Sequence, residues 1–157
     1  MAEVDVPRRI HSINDVQNLL GLPLGPSDFL QVTQDMITTF AAATGDHQWI
    51  HEDVTRAGDG PFGSTIAHGY LILSLIPALL NEVLVIEESG TRINYGLNRV
   101  RFVTPVPVDA EVRLGAVITS VDVVGDARQV VLDVTIELRH TERPACVAEV
   151  LYRWYPA

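Results

Sequence analysis

The chain has 157 residues, the size of one domain, with 47% hydrophobic and 20% charged residues, which excludes a disordered or fibrous protein. All 11 basic residues are Arg, so chemistry through a lysine amine is excluded. Twenty acidic residues give a net charge of −9, which leaves no general affinity for nucleic acid or an anionic membrane surface.

Residues 1–157 are therefore read as a single domain, cytoplasmic by default. The stretch from Met1 to Ile10 has charged residues where a secretory signal needs an apolar core. Ser12 to Leu20 reads as a short helix, with Ser12 as N-cap and Asp15 in the first turn. Gly21, Pro23, Gly25 and Pro26 then break the chain, and Phe29 to Val32 reads as a short strand. Thr33 to Thr44 is a second helix, capped by Thr33 and stopped by Gly45, with Met36, Ile37, Phe40 and Ala41 on its buried face. A polar stretch follows from Asp46 to Pro61, with one helical turn expected near Glu52 to Ala57.

Ile66 to Leu80 is apolar on nearly every side, so a helix there must be surrounded, and Pro77 is expected to kink or end it. It is too short to span a bilayer, which takes ~20 apolar residues. Four strands are expected after it: Thr91 to Val103, Ala110 to Val124, Arg128 to Arg139 and Ala145 to Tyr155. The third alternates strictly, with Val130, Leu132, Val134, Ile136 and Leu138 on one face, and Gly125-Asp126 reads as the hairpin before it. The lone Cys146 cannot form an internal disulfide and reads as a buried apolar residue. Helices first and strands second indicate an α+β protein, and a long antiparallel sheet curled round one apolar helix is a hot-dog architecture.

The chemistry concentrates in Thr44 to His51 and Gly63 to Tyr70. Asp46 and His51 lie five residues apart in a loop over the apolar helix. A carboxylate and an imidazole that close can converge on one water, one removing a proton and the other delivering one. Gly69 opens the helix, where N–H groups lack internal partners and can stabilise a developing oxyanion. No G-x-S-x-G elbow is present, so covalent catalysis is the weaker reading. His47 and His68 read as structural, and His11 and His140 as surface residues.

The runs Gly45-Asp46-His47-Gln48-Trp49-Ile50-His51 and Ile66-Ala67-His68-Gly69-Tyr70 resemble the hydratase motif of the MaoC-like, (R)-specific enoyl-CoA hydratases, roughly G-D-x-N-P-x-H followed by an apolar-H-G helix start. In particular the chain is similar to the short single-hot-dog hydratases of actinobacteria labelled nodulation-protein-N-like, and the resemblance runs from about Val32 to Tyr155. The run from Ile93 to Phe102 and then Pro105-Val106-Pro107 adds to the resemblance. It implies a homodimer that adds water to trans-2-enoyl-CoA, giving (R)-3-hydroxyacyl-CoA, without metal or other cofactor. Asp46 and His51 become the catalytic pair and the Gly69 N–H the thioester oxyanion donor. Gln48-Trp49 departs from the usual Asn-Pro, so the loop needs another support. Leu75-Ile76-Pro77 stands where some members carry a hydroxyl that supports the aspartate.

The anionic substrate calls for local cations, for which Arg56, Arg99 and Arg101 are the candidates, and Tyr95 and Asn98 are candidates for the acyl tunnel. Two other readings remain. One is an acyl-CoA thioesterase on the same fold, and the other is a non-catalytic subunit of a heteromeric dehydratase.

Overall fold

The fold is taken from a computed structural model that describes residues 7–88 and 90–157. The secretory-signal reading of the N-terminus falls largely on residues 1–6, outside the described residues.

The chain opens with β1 (Arg8–Ser12) and a 3-10 helix (Ile13–Leu19). Ser12 caps that helix: its hydroxyl accepts from Asn14 N, and the Asp15 carboxylate accepts from Ser12 N at 2.9 Å. β2 (Pro23–Leu24) and β3 (Leu30–Gln31) lead to α1 (Gln34–Thr44). Thr33 caps α1, and Gly45 ends it in the left-handed region at φ 78°, as the sequence predicts. Two short helices, α2 (Trp49–Glu52) and α3 (Val54–Gly58), occupy the polar stretch.

The expected helix from Ile66 starts later and is interrupted. Ile66 and Ala67 are extended, because Ile66 bridges Pro107 and Ala67 N donates to Val106 O at 2.8 Å. α4 (Gly69–Ser74) follows, and α5 (Ile76–Val83) continues through Leu75, which keeps helical dihedrals. Pro77 lies in the first turn of α5, where its missing N–H costs little.

β4 (Leu84–Glu88) pairs in parallel with β1, a two-stranded sheet that the sequence reading misses. Strands of five residues are too short to show a useful alternation, and Leu84-Val85-Ile86 is continuously apolar. The large sheet holds β5 (Arg92–Phe102), β6 (Glu111–Val124), β7 (Ala127–Leu138) and β8 (Cys146–Trp154). Its order is β2-β6-β7-β8-β5, antiparallel throughout, with β3 also on β6. The β6–β7 hairpin closes at Val124 and Ala127, with Gly125 at φ 59°.

The inward faces of β6, β7 and β8 supply Leu114, Ile118, Leu132, Ile136 and Trp154, which pack with Leu79, Leu80 and Val83 of α5 in one core. The sheet covers one side of the helix pair. Tyr70, at 68% exposure, Ser74 and Ala78 form an exposed stripe at four-residue spacing, so the helix is not enclosed on every side as expected from its composition. No helix among the described residues is long and apolar enough to cross a membrane.

Candidate active site

Asp46 follows the left-handed turn at Gly45 and is exposed. Its own N–H reaches Thr44 Oγ1 only at 3.5 Å. Five residues on, α2 presents His51 inward, 6% exposed. Four hydrogen bonds fix this turn. Ile66 N donates to Ile50 O at 3.0 Å, and His51 Nδ1–H donates to Ile66 O at 2.7 Å. Gln34 Nε2 donates to His51 O at 2.8 Å, while Thr65 Oγ1 donates to Gln34 Oε1 at 2.6 Å. A carbonyl only accepts, so the Ile66 bond sets the neutral His51 tautomer and leaves Nε2 with its lone pair.

The extended stretch before α4 carries His68, 2% exposed. Its Nε2–H donates to the backbone carbonyl of Asp46 at 2.9 Å. Its ring stacks on that of His51, with centroids 3.7 Å apart and planes 23° from parallel. One carboxylate oxygen of Asp46 and one ring nitrogen each of His51 and His68 lie within 4.8 Å of one another. Such a trio has the composition of a metal site. Stacked, nearly parallel rings cannot both direct in-plane lone pairs at one ion, however, so the arrangement suits a hydrogen-bonded water better than a cation.

His51 also borders a cavity of about 250 Å³, lined by Ile50, Ile66, Gly69, Ile72 and Phe102 among others. At Gly69 a Cβ would stand 2.7–2.9 Å from the Phe102 ring, so only glycine permits this contact. The Gly69 N–H, first in α4, has no backbone acceptor among the described residues. The site thus combines a carboxylate, an imidazole with a free lone pair, a free amide donor and a small apolar chamber. That set can activate water beside an oxyanion.

The other sequence candidates lie elsewhere. Arg56 stacks over the Trp49 ring at 4.3 Å, and a Cβ on Gly60 would lie 3.2 Å from the same ring. Trp49 is therefore wedged in place, which gives the loop the support that the missing proline does not. Tyr95 and Asn98 are the residues skipped where the β5–β8 register shifts, so both are bulge positions. The Tyr95 ring lies under the Arg153 guanidinium at 3.8 Å, and Arg99 and Arg101 line an open depression with Asp133 and Glu149. A separate groove of about 330 Å³ beside the helix pair is lined by Leu73, Ile76, Pro77, Leu97 and Val150 among others. Sequence reasoning did not single out Gln34 or Phe102, and it took His68 as structural. The His68-Gly69 dipeptide at a helix start was the one available signal.

The family described as MaoC like domain matches residues 15–140. Over 148 residues the chain is 43% identical to 3-hydroxyacyl-thioester dehydratase Z of Mycobacterium tuberculosis, covering 94% of this chain and 98% of that protein. It is 41% identical over 140 residues to nodulation protein N of Rhizobium leguminosarum, covering 87% of each. Among solved structures, the fold matches an unliganded R-hydratase of Pseudomonas aeruginosa with a TM-score of 0.68 and 20% identity, over 88% of this chain and 83% of that one.

Proposed function

The chain belongs to the MaoC-like domain family and is a hydro-lyase of its dehydratase type, and from that premise we propose that it interconverts trans-2-enoyl-CoA and (R)-3-hydroxyacyl-CoA with Asp46 and His51 as the acid–base pair. The observation that supports this most is the approach of the Asp46 carboxylate and a His51 ring nitrogen to within 4.8 Å, beside the cavity that reaches Gly69.

In hydration, the water oxygen bonds the β-carbon while one member of the pair takes its proton. The electrons of the double bond move toward the thioester, and the Gly69 N–H donates to the oxygen that becomes enolate-like. A proton delivered from the pair to the α-carbon restores the carbonyl. The sum is addition of one water, with no redox change and no bond to the enzyme. His51 Nε2, left as an acceptor by the Ile66 bond, suits the water side of this exchange. The apolar chamber beside His51, lined by Ile50, Ile66, Ile72 and Phe102, offers room for the reacting end of the acyl chain. The catalytic unit is read as one cytoplasmic domain. Arg56, Arg99 and Arg101 are the proposed cations for CoA, with Tyr95 and Asn98 on the acyl side.

The protein is read as a homodimer paired along β5. Among the described residues this strand has β8 as its sheet neighbour on one side only, and it exposes Ile93, Tyr95 and Leu97. Light scattering of the purified protein reads the mass directly, and a monomer overturns that part.

Activity is tested with a short trans-2-enoyl-CoA. Loss of the conjugated absorbance without thiol release is expected. Asp46→Asn and His51→Ala should each lower turnover by about 10²–10⁴-fold. Near-normal rates in both variants defeat the assignment, and free CoA released from a saturated acyl-CoA would mark a thioesterase instead.

A further inference from the structure

We infer that His68 is a positioning residue that holds the two members of the acid–base pair in register, Asp46 through its backbone and His51 through the face of its ring. The inference rests on the hydratase reading above. Asp46 sits on an exposed turn whose own amide is held only at 3.5 Å by Thr44, whereas its carbonyl is gripped by His68 Nε2–H at 2.9 Å. The same imidazole stacks on His51 at 3.7 Å, and Phe40 of α1 packs against it at 5.0 Å between ring centroids. One ring therefore joins the turn after α1, the buried face of α2 and the start of α4.

A residue kept only to fill the core would not need a second nitrogen. Among the described residues His68 Nδ1 is buried without a hydrogen-bond partner, a cost that a phenyl ring of similar shape would avoid. The donated bond puts the proton on Nε2, and burial of an unpartnered Nδ1 favours leaving that nitrogen bare. In its neutral form the ring has one donor, and that donor goes to Asp46. A misplacement of about 1 Å in either reacting group is enough to cost on the order of 10²-fold in rate.

Two substitutions separate its two contacts. His68→Phe keeps a ring against His51 and loses the bond to Asp46, while His68→Gln keeps a donor and loses the ring. Each should lower kcat by about 10–100-fold and leave KM within about 3-fold, because substrate binding is not what His68 serves. In the His51→Ala background, where there is no ring left to position, His68→Gln, which keeps the donor to Asp46, should add little further loss. Unchanged kcat in both single variants, or full multiplication of the two losses, overturns the proposal. Nitrogen-15 NMR of the unmutated protein keeps the test independent of variant folding. The proton must be found on Nε2 of His68 and on Nδ1 of His51, and the opposite tautomer of His68 overturns the inference. Wild-type turnover with an inactive Asp46→Asn variant is the control. If that control fails, the hydratase reading falls; if it holds while the His68 variants run at full rate, only this inference falls.

Discussion

The β6–β7 hairpin and the segment from Thr44 to Gly69 are held in opposite ways. The hairpin is repetitive. Its register runs from Val112 opposite Leu138 to Val124 opposite Ala127, with one shift near Thr119, and from Val130 on every second residue of β7 enters the core. The segment has little regular structure. Its course depends on single bonds from Gln34, Thr65, Ile66 and His68, together with the wedged Trp49 ring. In the hairpin the loss of one side chain is shared among many neighbours and appears as stability. In the segment the loss of one bond displaces a reactive atom and appears as rate.

The strongest challenge to this contrast is a crossed pair of substitutions. Leu132→Ala, at a fully buried position, should cost about 2–5 kcal/mol in urea unfolding while the remaining folded protein turns over normally. Asp46→Asn should do the reverse, with a rate loss of orders of magnitude and an unchanged unfolding midpoint. If both variants moved both quantities, the division between scaffold and site would fail. Gly69→Ala tests the place where the two regions meet. The new Cβ meets the Phe102 ring of β5, so stability should fall by about 1–3 kcal/mol, and trimming Phe102 to Leu in the same chain should recover part of it.

Smaller effects sharpen the comparison. Burial pushes the Cys146 thiol up to about 11, so at pH 8 it should resist thiol reagents until the sheet unfolds. Rapid labelling of native protein would show that β8 opens locally. The smallest effect concerns His11 on β1. Its hydrogen bond to Glu87, and then the nearby charge of Glu88, raise its pKa above the ordinary value. A raised folded-state pKa means that the stabilisation is complete below about pH 6.5 and fades as pH rises through the raised value. In His11→Ala that fraction of the pH dependence of unfolding should vanish. An unchanged curve would show that the β1–β4 pair draws nothing from these charges.

Much of the scaffold was legible because its signals are local. The alternation of Val130 to Leu138, the caps at Thr33 and Gly45 and the Gly125-Asp126 turn all act within a few residues. The Asp46–His51 spacing and the Gly69 helix start were legible for the same reason, as a motif. β1 and β4 were not, because their pairing joins residues far apart in the chain and each strand is too short to show a period. The delayed start of α4 also escaped local reading. An apolar run such as Ile66 to Leu80 does not say where its first residues find backbone partners, and here Val106 supplies one.

By itself the sequence determined the main helices and the four long strands, the buried face of β7 and the residue types gathered for the chemistry, since these follow from periodicity, capping and composition. Only the tertiary structure decided that His51 bonds the Ile66 carbonyl, that His68 bridges Asp46 and His51, and that Phe102 closes over Gly69. Those contacts span from 15 to more than 30 residues of chain, and no local propensity encodes which of several buried polar groups will meet once the helix pair is pressed into the sheet.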